Sequence, residues 1–401
     1  MNIILHQLLK HIVHYGSLDL TYSDGVKKHY QGKYPGIHAG LRLLTPSAER
    51  ALIFNPALSF GEKYMSGELI PENEDLESLL GLFLYNIEKG RLFSDRFLRS
   101  IGQTLHHFKP VAFLNNLQKS KQNIAHHYDI NAKLYRLFLD KDMQYSCAYF
   151  KNGNETLEEA QIKKKKHLAK KLYLTEKGLH VLDIGCGWGG LAITLAKEYG
   201  AKVTGITLSK EQFIIAQKRV QKAGLSEQID IKLCDYRTLN QRFDRIVSVG
   251  MLEHVGQSQY EEFFLGVKKL LKPRGVAVIH SIGRKDGPGS TNPWITKYIF
   301  PGGYSPALSE IFKAVEKSDL WVTDCEILRL HYAKTLRFWR QRFEAHRDEI
   351  QEMFDEKFIR MFRFYLTASE LAFRVQDHMN FQIQITRDLN TLPITRDYMQ
   401  D

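Results

Sequence analysis

The chain has 401 residues, too many for one small core, and is expected to divide into two or three domains. Its hydrophobic (43%) and charged (25%) fractions are those of an ordinary soluble globular protein. The net charge of +11 suits nucleic acid and an anionic membrane equally, so charge excludes neither. Cys147, Cys186, Cys234 and Cys325 lie far apart, without zinc spacing. This argues against a disulfide framework and a structural metal, and fits a reducing cytoplasm. No apolar run approaches the roughly 20 residues that cross a bilayer. Met1–Gly16 lacks the cleavage site of a signal peptide, so the protein is expected to stay where it is made.

Along the chain, Leu5, Leu8, Leu9, Ile12 and Val13 recur at helical spacing and predict an amphipathic first helix. Helical and strand-like pieces follow without a chemical motif, up to a polar linker at Gln118–Asn123. We therefore expect a smaller N-terminal domain over 1–117 and a catalytic domain over 118–401. The run Lys163–Lys166 reads as a solvated helix face, with phosphate-headgroup contact as the alternative. From Leu179 onward strand and helix alternate. Strands are predicted at His180–Ile184, Lys202–Thr207, Ile229–Leu233, Asp244–Val249 and Gly275–Ile282. Helices are predicted at Trp188–Lys197, Ser209–Ala223 and Gln259–Leu271, with Ser209 and Gln212 forming a capping box. Such alternation builds an α/β fold, a parallel sheet with helices on both faces.

The most informative string is VLDIGCGWGG, Val181–Gly190. Glycines after a buried strand allow a tight turn and close approach of a ligand to the main chain. Gly185, Gly187 and Gly190 formally satisfy a dinucleotide fingerprint. However, Asp183 would face a pyrophosphate unfavourably, and the second strand ends at Thr207 without the acid expected for an NAD ribose. An acidic residue before GxGxG suits a cationic ligand, and S-adenosyl-L-methionine carries a sulfonium and an ammonium. Its ribose would fall to Thr207 and Gln212. No NPPY-like or Pro-Cys signature is present, and Asn292-Pro293-Trp294 is not a match, which weakens a nucleic-acid substrate.

MQYSCAYF (Met143–Phe150), VLDIGCGWGG, GITLSKEQ (Gly205–Gln212), FDRIVSVGMLEHVG (Phe243–Gly256), VIHSIG (Val278–Gly283) and WITKYIFPGGY (Trp294–Tyr304) closely resemble cyclopropane-fatty-acyl-phospholipid synthases, the mycolic acid cyclopropane synthase-like family. The resemblance runs from about His126 to the C-terminus, in order, with a weaker likeness at Gly61–Leu69. It implies a Rossmann-like class I S-adenosylmethionine-dependent methyltransferase sheet plus the smaller N-terminal domain. It implies methylene transfer to the cis double bond of an unsaturated phospholipid chain, forming cyclopropane fatty acids.

The carried-over base is a bound bicarbonate ion, held by Cys147 (through backbone), Glu253, His280, Ile282 and Tyr332. The carried-over cofactor contacts are Tyr145, Ser146, Asp183, Gly185, Gly187, Trp188, Gly189, Thr207, Gln212, Asp235 and Tyr236, the last stacking on adenine. Tyr128, Tyr145 and Trp188 are candidates to face the cation. An acyl tunnel is expected along Tyr298, Ile299 and Phe300. No metal is expected. The protein is expected on the inner, cytoplasmic face of the membrane, docked on anionic lipid, as a homodimer, without nucleic acid. The chain departs from many relatives at Asn131-Ala132-Lys133, and at Ser369 where they have a cysteine that the chemistry does not require. Alternatives are a methyl-branched lipid product, N-methylation of a small amine, and a non-catalytic lipid-binding relative.

Overall fold

The structure is a computed structural model that describes residues 1–89 and 132–400. Tyr128, Asn131, the linker Gln118–Asn123 and the expected boundary at 117/118 lie outside the described residues. The chain forms two compact units, and the division is not a simple cut. The first unit gathers the N-terminal residues with Asn292–Ile299 and Trp339–Asp377; the rest forms the second.

The first unit opens with α1 (Ile3–Ile12), close to its expected place, with Leu5 and Leu9 buried. Asn2 caps it by accepting from the Ile4 and Leu5 amides, at 3.1 and 3.2 Å. β1 (Tyr15–Thr21), β2 (Lys27–Gln31) and β3 (Tyr34–Leu43) follow, then α2 (Pro46–Phe54), α3 (Pro56–Met65) and β4 (Leu69–Pro71). These strands form a sheet in the order β2-β1-β3-β4. Alternate residues of β1 are buried, as expected of a sheet with one covered face. Later segments complete this unit: α9 (Pro293–Tyr298), α12 (Arg347–Gln351), α13 (Glu356–Val375) and the C-terminal half of α11 (His331–Ala345). Trp294 of α9 is 1% exposed, with its ring 4.6 Å from that of Phe364. A Cβ at Gly61 would lie 2.5 Å from the Trp294 indole nitrogen, so α3 needs a glycine there. Ile299 is buried and the Tyr298 hydroxyl donates to Glu62 at 2.8 Å. Ser369 sits half-buried on α13.

The second unit contains α4 (Ala132–Phe138), α5 (Leu157–Lys171), β5 (His180–Ile184), α6 (Gly190–Tyr199), β6 (Lys202–Thr207), α7 (Lys210–Lys222), β7 (Ile229–Leu233), β8 (Phe243–Val249), α8 (Tyr260–Leu270), β9 (Leu271–Arg284), α10 (Leu308–Lys317), β10 (Trp321–Ile327) and β11 (His378–Thr386). The sheet order is β10-β11-β9-β8-β5-β6-β7. Strands β5 to β9 are mutually parallel, as expected, while β11 enters antiparallel between β9 and β10. One face packs Leu182, Ile184 and Ile279 with Phe263, Phe264 and Ile311; the other packs Val181 and Val203 with Leu168, Leu195 and Ala216.

Two local expectations change. Ser209 does cap α7 through the Gln212 amide at 3.3 Å, but the Gln212 carbonyl oxygen accepts from the Thr207 hydroxyl, at 2.8 Å, instead of closing the box. The lysine run is not a solvated face: Lys164 and Lys165 are 1% and 6% exposed. Their ammonium groups find partners in Asp142, Gln144 and Ser146 on the segment 142–146, which a helix-face pattern cannot reveal.

Candidate active site

The site begins where β5 ends. The backbone turns through Gly185, Gly187 and Gly189, at φ +80, +53 and +79, conformations that L side chains rarely adopt. The Gly185 and Cys186 amides donate to the Ile206 carbonyl at 3.0 and 2.9 Å, pinning the turn against β6. A pocket opens at this carboxyl end of the sheet, the usual place for ligands in such folds. Asp183 lines it and is 2% exposed, with Oδ2 buried and without a hydrogen-bond partner. Burial pushes its carboxyl up to about 7, against the pull of Lys164.

Tyr145 and Ser146 form a second wall. Their segment is tied down by α5: Gln161 donates to the Ser146 carbonyl at 2.9 Å, and Lys164 donates to Gln144 Oε1 at 2.6 Å and Ser146 Oγ at 2.8 Å. Burial lowers the Lys164 ammonium to about 8. Tyr145 and Trp188 pack around the buried Tyr135 ring at 5.1 and 5.0 Å. Thr207 and Gln212, bonded to each other, line the pocket beyond β6. Beyond β7, Asp235 takes a two-pronged contact from Arg237, at 2.9 and 2.8 Å. Tyr236 stands edge-on to Phe263 at 5.5 Å. The expected cofactor set therefore lines one pocket, except Gly189, which starts α6.

The expected catalytic residues fall in two groups. Glu253 follows β8 in a short helical turn and is 9% exposed. Its Oε1 accepts from the Ile282 amide at 2.6 Å, and Oε2 is buried without a partner. Burial raises this carboxyl to about 7. His280 lies two residues before Ile282 on β9, 1% exposed, and burial pushes it down to about 3. Its ring nitrogens lie 3.0 Å from the side-chain amides of Gln382 and Asn380.

In the other group, Cys147 is fully buried, and burial raises its thiol, so it stays protonated. The next residue, Ala148, donates from its amide to Thr335 Oγ1 at 3.0 Å, one turn along α11 from the buried Tyr332. Sequence reasoning missed Lys164, Arg237 and the two amides of β11. The only local signals were a basic run, a DYR string and an alternating NFQIQ, each common outside active sites.

A sheet of five parallel strands with an antiparallel strand beside β9, and a glycine turn opening on a carboxylate, defines the S-adenosylmethionine-dependent methyltransferase class. The family model for mycolic acid cyclopropane synthetase matches residues 115–383. The cyclopropane-fatty-acyl-phospholipid synthase of Escherichia coli (strain K12) is 38% identical over 369 residues, 89% of this chain and 91% of the relative. The tuberculostearic acid methyltransferase UfaA1 of Mycobacterium tuberculosis (strain ATCC 25618 / H37Rv) is 35% identical over 92% of this chain and 88% of its own. Among solved structures, mycolic acid cyclopropane synthase CmaA1, complexed with SAH and CTAB, aligns with a TM-score of 0.62 and 32% identity. That alignment covers 66% of this chain and 97% of the other. The chain belongs to the mycolic acid cyclopropane synthetase family.

Proposed function

We propose that this chain transfers a methylene from S-adenosylmethionine to the cis double bond of an unsaturated phospholipid acyl chain, closing a cyclopropane ring. The observation that carries the reading is a pair of buried carboxyls, each with one oxygen left without a partner: Asp183 through Oδ2 in the glycine pocket, and Glu253 through Oε2 beyond the neighbouring strand. The first suits a cation to be held, the second a proton to be taken. The likeness to the Escherichia coli synthase over nearly the whole chain supports the choice of lipid.

The residues fit the cofactor. Asp183 has a free oxygen for a positive charge, Gly185 and Gly187 leave the main chain open, and Thr207, Gln212 and Tyr236 line the pocket for a nucleoside. When bound, the cofactor supplies an electrophilic methyl group. An alkene is a weak nucleophile, so the chain must hold it close and exclude water. Once the methyl carbon is added it must lose a proton for the ring to close. Glu253, near neutrality and without a partner on Oε2, is the group able to hold that proton.

Bicarbonate is the alternative holder. An anion here would take the Ile282 amide in place of Glu253 Oε1, and a protonated Glu253 would then donate to it. The positive charge of the chain, with Ile3, Ile4 and Phe54 of the first unit 69%, 64% and 81% exposed, supports docking on an anionic lipid surface.

The test is mass and proton-NMR analysis of phospholipid after incubation with purified protein and S-adenosylmethionine. A cyclopropane product is expected. A methyl-branched product would install the second reading, and unchanged lipid would remove both. Adding bicarbonate to degassed enzyme should raise the rate; indifference to it leaves Glu253 alone as the base.

A further inference from the structure

β11 alternates between two kinds of side chain. Phe381, Ile383 and Ile385 enter the apolar core on one face, while Asn380, Gln382 and Gln384 occupy the other at 1%, 0% and 0% exposure. Burying three amides costs a few kcal/mol each unless their bonds are made. Gln384 makes them: its NH2 donates to the Lys171 carbonyl at 2.5 Å, and its oxygen accepts from Thr323 and Tyr398 at 2.8 and 3.0 Å. Asn380 and Gln382 do not, since Oδ1 of the first and Oε1 of the second are buried without partners. Their nitrogens are spent on one group. In the antiparallel register Gln382 stands opposite His280 and Asn380 opposite Ile282. Gln382 Nε2 lies 3.0 Å from Nδ1 of His280, and Asn380 Nδ2 lies 3.0 Å from its Nε2.

A neutral imidazole has one N–H and one lone pair, so it accepts from only one of two amides; the other must turn its oxygen to the ring. Each amide has a spare oxygen for that purpose. With Gln382 turned, Nδ1 carries the proton; with Asn380 turned, Nε2 does. With both turned, an imidazolium is satisfied. Rotation of a terminal amide thus serves every protonation form while the ring stays still. At rest the ring is neutral. Burial is the main cause, with Lys164, Lys171 and His167 of α5 acting in the same sense and Glu326 of β10 against it.

We propose that Asn380 and Gln382 are positioning residues for the methylene transfer, a pair of amides that clamps the His280 ring on the strand of Ile282 and lets it change tautomer or carry a proton without water. The inference rests on the reading that His280 belongs to the proton-handling group with Glu253 and Ile282.

The test uses the full chain, S-adenosylmethionine and vesicles of dioleoylphosphatidylglycerol. Gln382→Met and Asn380→Leu each lower kcat about tenfold or more, because a misplaced group near the chemistry costs that much, while KM for S-adenosylmethionine stays within about twofold. In a His280→Gln background the same substitutions add less than about twofold, since they act only through the ring. Should Gln382→Met not fold, Gln382→Glu has the same shape. Its carboxylate favours the imidazolium, so the His280 ring, followed by NMR, takes up its proton at higher pH than in the unaltered chain. Full kcat in both amide variants, losses that multiply in the His280→Gln background, or an unmoved His280 titration in Gln382→Glu would overturn the clamp. If His280→Gln itself is fully active, the reading of His280 fails and the clamp falls with it. An impaired His280→Gln beside active amide variants removes the clamp alone.

Discussion

At the scale of single residues, the proposed reaction assigns its chemistry to two carboxyls whose pKa values burial raises. Glu253 is pushed to about 7, so as a base it is blocked below that pH and free above it. The kcat profile should therefore rise through pH of about 7 rather than near 4.5, and Glu253→Gln should lose about tenfold or more in kcat while binding cofactor normally by calorimetry. An acid limb near 4.5 would take Glu253 out of this role. Asp183, also raised to about 7, ionises over the same range, and its charged form attracts a cation. S-adenosylmethionine binding should tighten from pH 6 to 8 relative to Asp183→Asn, which should bind about tenfold more weakly, the size expected for one charge-assisted contact. Parallel titrations of both proteins would contradict this. Legibility differed sharply between these residues and their neighbours. The glycine turn and Asp183 are readable because one short strand-turn-helix needs them all. Lys164 was not: its partners Gln144 and Ser146 come from a loop 18 to 20 residues away, and Lys163 and Lys166 on the same helix are more exposed.

At the scale of elements, α5 holds the sheet edge as well as the pocket wall. Lys171, at its C-terminal end, is fully buried between Asp324 and Glu326 of β10, with Nζ 2.6 Å from Glu326. His167, one turn earlier, also reaches Glu326 at 2.6 Å. Glu326, although desolvated, is held down at about 2 by His167 and Lys171. Lys171→Met would leave two carboxylates without their shared cation and should destabilise the protein by about 3 kcal/mol, read as a fall in Tm. Loss of Tm below about 1 kcal/mol equivalent would mean the pair is no buried ion pair at all. The strands β5 to β9 were readable from their apolar runs, whereas β11 hid itself. Its inward amides Asn380, Gln382 and Gln384 break the apolar run that marks a buried strand, and their partners His280 and Lys171 are distant in sequence.

At the scale of the whole molecule, the first unit depends on chain that sequence reading assigned elsewhere. Glu370 of α13 is 0% exposed and bonds to Arg340 at 2.9 Å and to Arg374 at 3.1 Å; both arginines also reach Glu77, at 2.5 and 2.7 Å. Trp294 and Phe364 close over Gly61. A contiguous cut near residue 117 was the natural reading, since no local pattern announces that the distant segments Asn292–Ile299 and Trp339–Asp377 return. Residues 1–117 expressed alone should lack a cooperative thermal transition, because they lose the partners of Glu77 and the cover of Gly61. A sharp transition in that fragment would show that the returning segments are dispensable.

The activity itself is the most direct test. Purified full-length protein, S-adenosylmethionine and unsaturated phospholipid vesicles should give lipid heavier by one methylene per modified chain, with cyclopropane ring protons and no olefinic protons at that position. Lipid that gains no mass, although calorimetry shows the cofactor bound, would contradict the account.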